Sequence, residues 1–241
     1  MKLATGVIPA RYQSQRFPGK PLALIQGKPM IQRVYEQARE ARFLERLIIA
    51  TDDEKILKVA SGFGAEVQMT SPLHNSGTER VAEVAKQIRT SIVINIQGDE
   101  PLLRGEMIDD LVKALQDETI PMATLAAREK DMDLLYDNNV IKVAADREGF
   151  ALNFSRSPLP LEAPDYFLQH IGIYGFQKEF LLALCKMPPS KSEKEENLEQ
   201  LRAVDNGYRI KIIETQFSTL SVDSPQDIIR VEKFLDDGAN D

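Results

Sequence analysis

An apolar run near the start of the chain, followed at once by a loop rich in proline and cations, constrains the fold more than any other stretch. Residues 3–8 are typical of a buried strand. A strand that ends in such a loop is how α/β proteins present backbone N–H groups and positive charge to a phosphate. The residues of the loop on which this interpretation rests are Arg11, Ser14, Arg16, Gly19 and Lys20, held by Pro9, Pro18 and Pro21.

This loop matches neither common phosphate-binding motif. A Walker A loop needs a glycine where Ser14 stands and a Ser or Thr where Pro21 stands, and no G-x-G-x-x-G spacing occurs here. A solvated basic turn is the alternative interpretation. Three cations within ten residues, fixed by three prolines, favour phosphate binding.

Short apolar runs then alternate with helical patterns up to about Ala127. Strands are predicted at 47–50, 66–69 and 91–96, and helices at 30–41, 54–63 and 106–116. This alternation predicts an α/β fold with right-handed parallel crossovers and a doubly wound, mostly parallel mixed sheet with helices on both faces. The later pattern predicts a β-hairpin from strands at 140–144 and 151–154, strands at 169–176 and 210–214, and helices at 178–186 and 225–235.

Composition excludes several classes of protein. The net charge of −7 argues against a nucleic-acid partner, so an anionic ligand must meet a local cluster of cations. The single cysteine, Cys185, excludes a disulfide framework, and its apolar surroundings favour a place in the core. No secretion signal and no apolar run of about 20 residues is visible, which predicts a cytoplasmic chain with no membrane partner.

Acidic residues stand directly after predicted strands, where open α/β sheets bind their ligands. Asp99 and Glu100 follow the strand at 91–96, and a carboxylate held by a tight glycine turn suits Mg²⁺. They could instead cap the next helix. Asp53 is predicted to cap the helix at 54–63. Asp223, just before the last helix, could be a turn residue only.

Two further groups of polar residues allow two interpretations each. The turn that contains Ser76, Gly77 and Thr78 feeds a helix, so its hydroxyl and N–H groups could bind a nucleotide, but spacing alone favours ordinary capping. His170 and Tyr174, four apart on a strand, share a face and could bind a ligand or simply fill the core. His74, close to the first group, is predicted to be an exposed loop residue.

Six separated motifs resemble those of the 3-deoxy-manno-octulosonate cytidylyltransferases, also called CMP-Kdo synthetases. They are I-P-A-R-Y-x-S-x-R-F-P-G-K-P-L at 8–22, S-G-T-E-R at 76–80, N-I-Q-G-D-E-P at 95–101, F-S-R with H-x-G-x-Y between 154 and 174, L-E-Q-L-R at 198–202 and V-D-x-P-x-D at 222–227. The resemblance implies a single domain with a glycosyltransferase-A-like nucleotidyltransferase fold. Its CTP-binding core would comprise about 1–127 and 210–235, and about 128–209 would form a sugar-binding part with a hairpin that serves dimerisation.

The resemblance also implies a role for particular residues. The catalytic set would be Arg11, Lys20, Asp99 and Asp223, with Mg²⁺ held by the two aspartates. Nucleotide binding would involve Ala10, Arg11, Ser14, Lys20, Asp52, Ser76, Gly77, Thr78 and Arg80. Sugar binding would involve Gln97, Arg156, His170, Tyr174, Glu199 and Gln200, with Arg156 on the sugar carboxylate.

The implied reaction joins CTP and Kdo to give CMP-Kdo and pyrophosphate, which activates Kdo for lipopolysaccharide synthesis. The resemblance implies a homodimer, and residues 154–176 are a plausible interface. The stretch between Arg156 and His170 is shorter than in many family members. Alternatives are a cytidylyltransferase for an amino-substituted Kdo or a sialic acid, and a non-catalytic nucleotide-binding regulator. A glycosyltransferase is less favoured because no D-x-D ends a mid-chain strand.

Overall fold

A mixed β-sheet forms the centre of the protein in the computed structural model, which describes residues 1–13, 17–159, 165–217 and 219–238. The strands are β1 (Ala4–Ala10), β2 (Leu24–Ile25), β3 (Lys28–Pro29), β4 (Leu44–Thr51), β5 (Glu66–Met69), β6 (Ile92–Asn95), β7 (Met122–Glu129), β8 (Lys142–Ala145), β9 (Ala151–Ser155), β10 (Phe167–Gln177) and β11 (Ile210–Thr215). The helices are α1 (Met30–Arg39), α2 (Glu54–Gly62), α3 (Gly77–Ala85), α4 (Gly105–Ala114), α5 (Lys178–Leu184), α6 (Lys191–Glu196), α7 (Leu201–Asp205) and α8 (Pro225–Gly238).

The strand order of the large sheet is β11-β7-β10-β6-β1-β4-β5. Strand β1 is parallel to both of its neighbours, and β10 is antiparallel to both β6 and β7. Along this path β10 alone therefore runs against the other strands, which confirms a mostly parallel mixed sheet. Strands β8 and β9 extend the sheet beside β10 as an antiparallel hairpin, as predicted.

Alternate residues of the central strands face opposite sides of the sheet, and each side is covered by helices. Ile8 of β1 packs in a core cluster with α1, α2 and α4, whereas its neighbour Val7 packs in a second cluster with α3, α5 and α7. Both residues are fully buried. Helices on both faces are therefore confirmed. A third cluster joins Val231 of α8 to Val222 and Leu102.

Several boundaries differ from those predicted. Leu3 is exposed and β1 instead runs through Ala10, which brings the end of the strand to the cation-bearing loop. Helix α8 continues to Gly238, past the predicted end near Leu235. Asp53 caps α2 as predicted, since its carboxylate accepts hydrogen bonds from the N–H groups of Lys55 and Ile56. No helix among the described residues is long and apolar enough to cross a membrane.

Strand β10 lies within the predicted dimer interface, and its two edges differ. It pairs with β7 over most of its length, whereas its other edge pairs with β6 at 174–177 and with β8 at Gln169. Ile171, Ile173 and Phe176 are buried. The interface at 154–176 stays a prediction. Residues 160–164, in the short stretch before β10, lie outside the described residues.

Candidate active site

A cleft of about 600 Å³ opens at the ends of β1 and β6, where the sheet topology was expected to place a ligand. Its lining includes ten of the predicted site residues: Ala10, Arg11, Lys20, Ser76, Gly77, Arg80, Gln97, Asp99, Arg156 and Asp223. Residues from both ends of the chain therefore meet in one place. Ser14 lies outside the described residues. The other predicted residues do not line the cleft: Asp52, Thr78, His170, Tyr174, Glu199 and Gln200.

Asp99 and Asp223 converge on the ammonium group of Lys20. Lys20 Nζ lies 2.7 Å from Asp99 Oδ2 and 3.5 Å from Asp223 Oδ1, and it also donates to the Val222 carbonyl at 2.8 Å. The Lys20 side chain is 16% exposed, that of Asp99 27% and that of Asp223 48%. The two carboxylates thus face a position that already holds a cation, at the border between protein and solvent.

Backbone contacts bring these three groups together. Gly19, with φ of +74°, turns the chain into the short 3₁₀ turn that begins at Lys20. The N–H of Val222 donates to the Asp99 carbonyl at 2.9 Å, so the loop before α8 is fixed to the loop after β6. A Cβ on Gly98 would lie only 3.2 Å from the Pro9 carbonyl oxygen, so the close packing of these loops favours glycine there.

Helix capping does not explain Asp99 or Glu100. Helix α4 begins at Gly105 and its N-cap residue is Arg104, so the capping interpretation is wrong. Glu100 is buried, and burial raises its pKa to about 8, with the Asp99 carboxylate acting in the same direction. Asp99, which is partly exposed and faces Lys20 beside Asp223, is the better-placed metal candidate of the pair.

Ser76 does cap α3, because its hydroxyl oxygen accepts a hydrogen bond from the N–H of Glu79 at 3.2 Å. The same hydroxyl donates to Glu199 Oε1 at 2.9 Å, and the Thr78 hydroxyl donates to Glu199 Oε2. Capping and ligand binding are therefore compatible at this turn. Nucleotide contacts by Ser76, Gly77 and Thr78 stay a prediction.

Asp52 holds Arg80 instead of lining the cleft. Arg80 is buried, and its Nη2 donates to Asp52 Oδ2 at 2.8 Å while Nη1 donates to the Thr70 hydroxyl and, at 3.4 Å, to the Ser71 carbonyl. A buried guanidinium needs such partners. A nucleotide contact by Asp52 stays a prediction.

Arg156 lines the cleft and is fixed by backbone carbonyls. Its Nε donates to the Glu196 carbonyl at 2.8 Å and its Nη1 to the Asn138 carbonyl at 3.0 Å. These contacts fix the guanidinium of a residue that lines the cleft. Gln97 also lines the cleft, and its Nε2 lies 3.5 Å from Asn95 Oδ1.

His170 and Tyr174 share one face of β10, as predicted, with ring centroids 5.4 Å apart. His170 Nε2 lies 3.0 Å from the Thr124 hydroxyl, which is also within hydrogen-bond distance of the Ile173 and Ile171 carbonyls, at 2.8 and 3.2 Å. Burial lowers the pKa of His170 to about 3, and burial raises the pKa of the Tyr174 hydroxyl. In this structure the core interpretation fits His170, and a ligand contact stays a prediction.

Glu199 and Gln200 form the wall between β10 and α3. The Tyr174 hydroxyl donates to Gln200 Oε1 at 3.2 Å, and Gln200 itself is buried. A small hollow behind the cleft is lined by Thr78, Tyr174, Glu199 and Gln200 together with apolar side chains. The predicted sugar-side residues therefore lie beside the nucleotide-side turn.

Two lining residues were not identified from the sequence. His74 is half-buried, lines the cleft, and pairs through Nε2 with Glu83, so its prediction as an exposed loop residue is wrong. Asn197 ends α6 with φ of +55° and also lines the cleft. A left-handed Asn after a charged helix is a recognisable C-cap signal, and it could have marked this turn.

Cys185 is half-buried and packs against the second core cluster, in agreement with the predicted place in the core. Burial raises the pKa of its thiol to about 12, and the Glu199 and Glu79 carboxylates add to this shift. The reactive form of cysteine is the thiolate, which is absent at neutral pH with such a pKa.

Comparison with known proteins finds cytidylyltransferases by sequence and by structure. A family model described as cytidylyltransferase matches residues 5–212. The 3-deoxy-manno-octulosonate cytidylyltransferase of Syntrophotalea carbinolica is 49% identical over 96% of this chain and 98% of that protein. A CMP:2-keto-3-deoxy-manno-octonic acid synthetase, solved in complex with CTP, has a TM-score of 0.92 at 36% identity and covers 98% of this chain and 99% of that one. The fold is shared with the 4-diphosphocytidyl-2C-methyl-D-erythritol synthase of Anaerococcus prevotii. The TM-score to that structure is 0.66 at 14% identity, over 98% of this chain and 96% of that one.

Proposed function

This chain belongs to the 3-deoxy-manno-octulosonate cytidylyltransferase family, and we propose that it transfers CMP from CTP to Kdo and releases pyrophosphate. The product, CMP-Kdo, would be the activated sugar for lipopolysaccharide synthesis. The observation that carries the proposal is the convergence of Asp99 and Asp223 on the Lys20 ammonium, in a cleft that also bears Arg11 and Arg156.

Asp99 and Asp223 are the residues that would hold Mg²⁺. The Lys20 ammonium acts as a stand-in, because its place between two carboxylates is one that a cation can occupy. Mg²⁺ usually takes one or two protein carboxylates and completes its shell with water and substrate phosphates. Among the described residues, no three His, Cys, Asp or Glu side chains converge, which suits a metal that shares its ligands with a substrate. Once bound there, Mg²⁺ would neutralise charge on the phosphates.

Arg11 and Lys20 would bind the triphosphate of CTP. Arg11 lies at the end of β1 and is exposed to the cleft, so its guanidinium can meet a phosphate without breaking a buried contact. The net charge of −7 repels an anionic nucleotide at long range, and these local cations would offset that repulsion. Ala10, Ser76, Gly77, Thr78 and Arg80 would surround the nucleoside and phosphates, with Asp52 holding Arg80.

The sugar acid would lie on the opposite side of the cleft. Its carboxylate would meet the Arg156 guanidinium, which two backbone carbonyls already orient. Glu199, Gln200, Tyr174 and His170 would serve its hydroxyl groups, and Gln97 lies between the sugar side and Asp99.

The chemical step would be direct transfer. The anomeric hydroxyl oxygen of Kdo attacks the α-phosphorus of CTP, the bond to the pyrophosphate oxygen breaks, and the hydroxyl proton is released. Phosphoryl transfer depends mainly on positioning and charge neutralisation, so no protein nucleophile is needed. The raised pKa of Cys185 and the buried, neutral His170 agree with such a mechanism.

Pyrophosphate release tests the proposal. The assay compares CTP, UTP and ATP with Mg²⁺, each with and without Kdo, and we expect release only with CTP and Kdo together. Release with CTP and an amino-substituted Kdo or a sialic acid, but not with Kdo, would contradict the sugar assignment and keep the cytidylyltransferase activity. CTP binding without release for any sugar acid would favour a regulatory nucleotide-binding protein.

We also propose that the enzyme acts in the cytoplasm, where CTP is available, and that it forms a homodimer. The proposed interface is 154–176 together with the β8–β9 hairpin, which extends the sheet beside β10. Light scattering at micromolar concentration tests the homodimer, and a monomer mass would contradict it.

A further inference from the structure

Glu199 connects the two sides of the cleft. Its two carboxylate oxygens accept hydrogen bonds from the Ser76 and Thr78 hydroxyls on the nucleotide side, and its backbone belongs to the sugar-side segment before α7. The Glu199 side chain is 30% exposed, so part of its negative charge is removed from water. Two hydroxyl donors alone do not neutralise such a charge, and a partly buried carboxylate needs a cation nearby.

The nearby cation is the guanidinium of Arg202, a residue of α7. Its side chain is 8% exposed, and its Nη2 lies 3.8 Å from Glu199 Oε1, the oxygen that also accepts from Ser76. This distance is too long for a good hydrogen bond but short enough for a strong charge interaction away from bulk water.

The position of the Arg202 guanidinium is fixed without any help from Glu199. Its Nε donates to Glu193 Oε2 at 2.8 Å, and its Nη2 pairs with the other Glu193 oxygen. Glu193 is in turn held by a capping box with Ser190 at the start of α6. The Nη1 group faces the carbonyls of Leu184 and Met187, at 3.4 and 3.5 Å. The guanidinium is thus a rigid charge against which Glu199 is oriented.

We propose that Arg202 is a positioning residue for sugar binding, because it holds the Glu199 carboxylate in the rotamer that faces the cleft wall. This inference rests on the proposed sugar role of Glu199. Arg202 does not line the cleft, so it would act only through Glu199. Without its charge, Glu199 would turn toward solvent and leave Ser76 and Thr78.

The test separates this role from a structural one by breaking the same ion pair from either end. Arg202→Met removes the charge beside Glu199. Glu193→Gln removes the opposite charge but keeps the guanidinium in place, because the amide oxygen at 193 and the carbonyls of Leu184 and Met187 can still accept from it. We expect Arg202→Met to raise the KM for Kdo roughly tenfold and to change the KM for CTP less than about threefold. We expect Glu193→Gln to change the KM for Kdo less than about twofold. Arg202→Lys should recover part of the loss, since it restores a charge but not the planar fork.

Equal increases in the KM for Kdo in Arg202→Met and Glu193→Gln would overturn the inference, because the ion pair would then act only through stability. If Arg202→Met does not fold, the same comparison between Arg202→Lys and Glu193→Gln decides. Glu199→Gln separates this inference from its premise. An unchanged KM for Kdo in that variant would remove the sugar role of Glu199 and this inference with it, while pyrophosphate release from CTP and Kdo would still support the reaction.

Discussion

The two sides of the cleft satisfy their polar groups in different ways. On the side of Lys20, Asp99 and Asp223, charged groups face one another at the border with solvent, and the Asp223 side chain is 48% exposed. On the side of β10, His170 and Gln200 are buried and bonded to Thr124 and Tyr174. The aspartate side can exchange partners with ions and phosphates at low cost. On the β10 side, His170 and the Tyr174 hydroxyl must give up internal hydrogen bonds before a sugar can replace them, whereas the buried Gln200 Nε2 has no hydrogen-bond partner among the described residues.

The largest expected effect lies on the aspartate side. We expect Asp99→Asn to reduce pyrophosphate release at least about 1,000-fold, because a metal that neutralises phosphate charge contributes several kcal/mol to such a reaction. The variant should remain folded, since Asp99 is partly exposed and its partner Lys20 keeps the Val222 carbonyl. The measurements are a pyrophosphate assay and a thermal melt.

Asp110→Asn is the matched control for this variant, because it removes an aspartate that is paired with Lys113 on the surface of α4. It should keep full activity. Activity of Asp99→Asn within tenfold of the parent protein would remove the metal assignment.

The next effect concerns acid stability of the β10 side. Burial lowers the pKa of His170 to about 3, below the value of 6.5 in the unfolded chain. Between these pH values the unfolded chain binds a proton that the folded protein does not, so stability falls as the pH drops below 6.5. We expect a loss of about 2 kcal/mol between pH 6.5 and 5 from this group.

His170→Gln should remove that acid dependence when it is compared with the parent protein at each pH by urea unfolding. His74→Gln removes the only other histidine and should leave the dependence in place. An unchanged slope in His170→Gln would mean that the β10 side is open to water, and the contrast between the two sides would fail.

How far the sequence could predict this site depends on the range of the contacts. The strand ends, the Asp53 cap and the hairpin follow from local patterns, because an apolar period and a turn residue act within a few positions. The meeting of Asp99 with Asp223 depends on a long-range backbone contact from Val222, which no local pattern records. The resemblance to a family indicated it instead.

The parts that sequence reasoning missed are contacts between distant polar residues. Arg202 belongs to a recognisable motif, but its pairing with Glu193 depends on how α6 folds back onto α7. The sequence does not predict the bounds of strand β7. Its residues Met122 to Ala126 are all buried, so they lack the alternation of apolar and polar residues that marks a strand with one exposed face. The burial of His74 could not be predicted, because it pairs with Glu83 across a loop and no local pattern records that contact.

A smaller effect would sharpen the view that Lys20 is a stand-in cation. Without metal, Lys20→Met leaves Asp99 and Asp223 facing each other, and we expect a loss of roughly 1 to 2 kcal/mol from this partly exposed cluster. Mg²⁺ should restore more stability in Lys20→Met than in the parent protein, because it replaces the missing charge. Thermal melts with EDTA and with Mg²⁺ measure this.

Lys28→Met is the control, since Lys28 pairs with Glu36 on the surface, away from the aspartates. It should respond to Mg²⁺ as the parent protein does. An equal gain from Mg²⁺ in the parent protein and in Lys20→Met would show that the ammonium does not occupy the place of the metal.

The smallest expected effect tests the contact that joins the two sides. Glycine is nearly as good an N-cap as serine, so Ser76→Gly should lose little as a cap but should lose the hydrogen bond to Glu199, at a cost of about 1 kcal/mol. Asp53→Gly, at the N-cap of α2, removes a side chain that serves the cap by accepting from the N–H groups of Lys55 and Ile56, and it should cost only a few tenths of a kcal/mol. Urea unfolding measures both. Equal losses would mean that the Ser76 hydroxyl contributes only to capping, and the two sides of the cleft would then be stabilised independently.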